Sequence, residues 1–120
     1  MMKTAAIAIL ALFPAQAFAF ECTIAQQCGG GTCEPFAGGP LLVKEAGDVW
    51  QVSMDGQNWQ GYSTTTTETG GEVSIVLPPQ GGMSGLISIY PGGEISFTVH
   101  AYGSGAVAIT GSGNCMADGG

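Results

Sequence analysis

The chain of 120 residues contains no arginine, and its only two lysines are Lys3 and Lys44. Recognition of a phosphate backbone needs clustered Lys and Arg, so nucleic acid is excluded as a partner. Histidine is scarcer still, because His100 stands alone. The first three cysteines follow a C-x5-C-x4-C spacing that lacks the C-x2-C knuckle, so zinc is not expected. Asp55-Gly56-Gln57-Asn58 has neither the alternating acids nor the closing glutamate of a calcium loop, and reads as a hairpin turn. There is no G-x-S-x-G elbow and no N-x-S/T sequon, since Asn58 precedes Trp59-Gln60 and Asn114 precedes Cys115-Met116. No window past the N-terminal segment shows apolar residues at helical period, so helices are not expected. Nothing points to a cofactor or a metal, and none is expected.

The N-terminal segment reads as a secretory signal over residues 1–19. Lys3 supplies a positive start, Ala5 to Phe13 is an apolar run too short to span a bilayer, and Ala17-Phe18-Ala19 is a small-x-small cleavage pattern. No cysteine sits at the cleavage point, so a lipid anchor is not expected, and the remainder, 20–120, is read as one domain. In that remainder Lys44 faces all nine carboxylates, a formal charge of −8. Such a surface attracts a cationic partner, and acidity of this kind also keeps a small exported protein soluble and monomeric.

Cys22, Cys28, Cys33 and Cys115 are even in number on an exported chain, which argues for two disulfides in a periplasmic or secreted protein. Three pairings are open. The flexible Gly-Gly-Gly-Thr between Cys28 and Cys33 favours a bridge across it, leaving Cys22 to join Cys115. A domain of about 100 residues has a modest core, so this covalent help matters.

What is abundant is glycine and proline, 21 and 6 residues. Many fall between apolar segments, at Gly38-Gly39-Pro40, Gly70-Gly71, Pro78 to Gly82 and Gly92-Gly93, where turns need them. The segments between them alternate. Ile95, Phe97, Val99 and Ala101 interleave with Glu94, Ser96, Thr98 and His100, the period of a strand with one buried face. Turns at Tyr90 to Gly93 and Gly103 to Gly105 join it to 86–90 and 106–110 in an antiparallel meander. Further strands are expected at 20–24, 41–45, 48–54, 58–66 and 72–77. About eight short antiparallel strands predict an all-β, disulfide-bonded barrel, because closure removes exposed edges; a two-sheet sandwich is the alternative.

Candidate functional residues are few. His100 with Ser96 or Ser104 is the only conceivable Ser-His arrangement, and an exposed strand histidine is the simpler reading, so no catalysis is expected. Thr64 to Thr67 reads as a wet strand face or a ligand-facing patch. Among Trp50, Trp59, Tyr62, Tyr90 and Tyr102, the alternation puts Tyr90 and Tyr102 on the polar face, as an exposed aromatic patch that binds a partner or glycan, or as cross-strand pairs.

Two resemblances follow from these residues. The start A-F-E-C, the cysteine trio and the closing run from E-I-S-F-T-V-H-A-Y to G-S-G-N-C resemble a family of short exported bacterial proteins with no known activity. Size, acidity, an all-β pattern and a bridge from Cys22 to Cys115 are similar to the small β-barrel periplasmic inhibitors of c-type lysozyme. That resemblance implies an inserting S-G-x-x-Y loop; here Ser84-Gly85-Leu86-Ile87 precedes Ser88, and the tyrosine comes at Tyr90. It implies Ser84, Gly85 and Tyr90 as binding residues and a cationic lysozyme-like partner.

Overall fold

The computed structural model describes residues 19–64 and 72–117, and every regular element among them is a strand. In chain order these are β1 (Ala19–Gly29), β2 (Thr32–Pro35), β3 (Leu41–Ala46), β4 (Val49–Met54), β5 (Gln57–Ser63), β6 (Val73–Gln80), β7 (Met83–Ile89), β8 (Glu94–Tyr102) and β9 (Ala106–Ala117). In the sheet order β2-β1-β3-β4-β5-β6-β7-β8-β9 each pairs antiparallel with its neighbour, and β9 returns to pair with β1 from Phe20–Ala117 to Gly29–Ile109. The sheet therefore closes. Eight strands form the barrel wall, as expected from the alternation, and the two-sheet alternative is not what forms.

The additional strand is β2. On the side of β1 away from β9, Ala19 to Cys22 pair with β3 and Gln26 to Gly29 pair with β2, so the two short partners lie end to end along one long strand. The expected strand at 20–24 is thus the first half of an eleven-residue β1. β9 likewise runs beyond the expected 106–110 to Ala117, and β7 starts at Met83 rather than Leu86. Thr65 to Thr67 and the residues before Ala19, where the signal is expected, lie outside the described residues.

One end of the barrel, the base, carries the start of β1, the end of β9 and the turns after β3 and β7. The other end, the rim, carries the turns after β1, β4, β6 and β8. Tight turns need the left-handed backbone, and Asp55 and Gly56 supply it after β4 with φ of 51° and 82°, as a two-residue Asp-Gly hairpin requires.

Interior positions are apolar. Cys22, Val43, Trp50, Val52, Ile75, Ile87, Ile89 and Ile95 are buried in one cluster, and Phe20 stacks on Trp50 with ring centres 6.5 Å apart. Outward positions on β8 and β9, such as Ser96, Thr98, Thr110, Ser112 and Asn114, are exposed and polar. On β5, β6 and β7 the outer wall also carries exposed apolar side chains, with Tyr62, Val76 and Leu86 side by side. No described helix is long and apolar enough to cross a membrane.

Cys22 and Cys115 face each other across the β1–β9 seam and are bonded, with Cα atoms 3.9 Å apart. Cys28 and Cys33 are bonded across the β1–β2 hairpin. Both bridges are those expected, and they fit an oxidising compartment outside the cytoplasm.

The seam between β5 and β6 is the weakest in backbone terms. Only Tyr62–Val76 and Ser63–Ile75 are paired, because Pro78 and Pro79 have no N–H to offer farther along. The Gln80 side chain takes over. Its Oε1 accepts from the Gln60 N–H at 3.0 Å and its Nε2 donates to the Gln60 carbonyl at 2.9 Å, as a peptide unit would. Gln80→Ala should therefore speed amide exchange at Gln60 and cost about 1 kcal/mol of stability. Unchanged exchange at Gln60 would show that the side chain is not a seam.

Candidate functional site

Near the rim the barrel is less completely filled than at the base. A cavity of about 210 Å³ lies there, lined by at least one side chain from each of the eight wall strands and by Phe36 from the segment between β2 and β3. An eight-stranded barrel is just wide enough either to be packed solid or to hold one small ligand. Here the base is packed and the rim half is open. The lining is apolar, with Trp59, Phe97, Met54 and Met83 contributing the larger surfaces. Methionine and aromatic side chains adapt to irregular apolar shapes.

Three local features shape the wall around the cavity. The first is glycine on the inward face of β9: Gly111 is opposite Phe97, whose ring lies over it where a β-carbon would stand. The second is Gly61 on β5, where a β-carbon would come 2.6 Å from Ile75 Cγ2 and 2.8 Å from Leu77 Cδ2. The third is the segment from Phe36 to Pro40, which crosses the rim as a strap. Its Phe36 N–H donates to the Ala25 carbonyl at 3.1 Å, and its Gly39 N–H donates to Asp55 Oδ1 at 3.3 Å. Gly38 lies so close to the Phe36 ring that a β-carbon would meet it at 2.6 Å. The strap is thereby held against the cavity with Phe36 as its inner wall.

Gln27 is the only lining residue that is not hydrophobic. Its orientation comes from a bulge: Ile24 pairs with Gly113 and Gln26 with Ser112, leaving Ala25 as an extra residue on β1. One extra residue exchanges the two faces of a strand. Phe20, Cys22 and Ile24 point inward before it, and Gln27 does so after it, opposite Gly111.

The residues singled out from sequence fall elsewhere. Ser84 and Gly85 are inside β7, paired with His100 and Val99, and not in a projecting loop. Gly85 has a packing reason, because a β-carbon there would stand 2.6 Å from the Thr98 carbonyl oxygen. Tyr90 is at the base and 38% exposed, whereas Tyr102 is at the rim and 71% exposed. The nine residues of β8 separate the two ends, roughly 27 Å at strand rise, so the tyrosines do not form one patch. His100 is exposed on the outer face of β8, across from Ser84 and Ala108 rather than Ser96 or Ser104. No group of three or more His, Cys, Asp or Glu side chains converges among the described residues.

Compared with known proteins, the chain matches no family model, no curated protein and no solved structure. What the cavity can hold follows from its own chemistry. Its residues are scattered from Gln27 to Ile109, and only the closure of the barrel brings them together. The inward phase of β8 was readable from alternation, but the unfilled volume was not.

Proposed function

We propose that the chain is an exported binding module, periplasmic or secreted, that holds a small apolar molecule in the rim half of its barrel. The observation that carries this reading is the apolar cavity walled by all eight strands. A dry apolar cavity of about 150 Å³ is large enough for benzene, so the space here suits a molecule of one to two rings or a short chain. Binding without turnover is the activity expected. The two disulfides and the N-terminal signal expected at residues 1–19 support export.

Toluene is a suitable probe. Titrated into the disulfide-bonded protein, it should shift the methyl resonances of Val52, Leu77, Ile87, Val99 and Ile109 saturably, while methyls at the base stay put. Val99→Phe fills the space and should abolish those shifts. Shifts that never saturate, or that survive Val99→Phe, would overturn the reading.

A cationic protein partner has weaker support, resting on the acidic balance alone. The lysozyme-inhibitor alternative needs Ser84, Gly85 and Tyr90 in one loop, and they are divided between the two ends of β7. A hydrolase using His100 has least support, since that side chain is on the outer wall, away from the cavity.

A further inference from the structure

We propose that Gln27 selects the ligand, and that the molecule held in the cavity is largely apolar but carries one hydroxyl or carbonyl group. This rests on the binding-module reading and adds the chemical class of the ligand to it. A polar amide turned into an apolar cavity is unfavourable unless something satisfies it. The half-buried Gln27 side chain makes no hydrogen bond to a described residue, but none of its polar atoms is sealed from water, so a ligand that displaces that water must supply the hydrogen bond itself. A bulge at Ala25 is what turns it inward; on a regular strand Gln26 would have taken that place, among Phe97, Ile109 and the other lining residues. Across the seam stands Gly111, whose side-chain place is taken by the Phe97 ring, so the amide borders the cavity beside that ring.

A carboxamide offers one acceptor oxygen and two donor hydrogens. It therefore satisfies either a hydroxyl or a carbonyl, and it does so without adding charge to a low-dielectric site. With only one such group in the lining, the ligand carries one polar point and an apolar remainder that meets Trp59, Phe97, Met54 and Met83.

The test compares 4-methylphenol with toluene, which differ by a single hydroxyl. In a cavity with no polar partner, the hydroxyl must give up its water for nothing, and toluene is preferred. With Gln27 present, 4-methylphenol should bind about three- to tenfold more tightly than toluene, the range of one net hydrogen bond. Gln27→Leu has nearly the same size, and it should reverse that order while keeping toluene binding, which also shows that the variant is folded. Gln27→Glu leaves an acceptor only, so it should keep 4-methylphenol and lose acetophenone, whose carbonyl needs a donor. If the preference is the same in the native protein and in Gln27→Leu, Gln27 does not select the ligand, although the binding reading stands. If neither probe binds the native protein, both are overturned.

Discussion

Replacing Cys22 and Cys115 together by alanine is expected to lower the unfolding free energy by about 4 to 5 kcal/mol. The bridge spans a sequence separation of 93 residues, and the chain-entropy account gives close to that amount for a loop of about 100 residues. A domain of this kind has about 5 to 15 kcal/mol in total. The structure adds a reason for the effect to be large. β1 and β9 are the first and last strands, and their pairing is the last to form if the meander grows from its local hairpins, so the bridge holds the contact with the greatest loop cost. Removing Cys28 and Cys33 by the same substitution should cost only about 2 kcal/mol, because that bridge spans 5 residues and the entropy it removes from the unfolded chain is small. Urea titration of both double variants measures the difference. Equal losses would mean that the seam between β1 and β9 is stable without its covalent tie.

How much of this was legible in the sequence depends on whether side chains or their absence carried the signal. β8 was plain because its inward positions are Ile95, Phe97, Val99 and Ala101. The second half of β9 was hidden for the opposite reason: its inward positions are Gly111, Gly113 and Cys115, so the apolar alternation disappears where Phe97 from the next strand fills the space. β2 left no pattern either, since all four of its residues are exposed. The bulge at Ala25 is equally silent, and it decides which face Gln27 takes. Disulfide pairing followed from loop length and came out as expected. The aromatic patch failed on register: Tyr90 and Tyr102 share a polar face by counting, but the strand between them carries them to opposite ends. The cavity was out of reach because an unfilled volume is a property of eight strands at once, not of any one segment.

Phe97 joins the two halves of the argument, packing over Gly111 and also lining the cavity. Phe97→Ala should cost about 3 to 5 kcal/mol, the range for deleting a core aromatic side chain. Nothing on β9 can relax into the gap, because position 111 has no side chain. Thr98→Ala, one residue along on the exposed face, should cost well under 1 kcal/mol. The larger loss has a second consequence if the cavity binds ligands. Phe97→Ala enlarges a space that toluene already enters, so the ligand should bind the variant at least as well and restore part of the lost stability, by an amount that grows with the logarithm of its concentration. Thermal unfolding of both variants with and without toluene reads both effects together. A Phe97→Ala protein that is as stable as Thr98→Ala would refute the inward phase of β8, and one that toluene does not stabilise would separate the packing of the rim from any binding role.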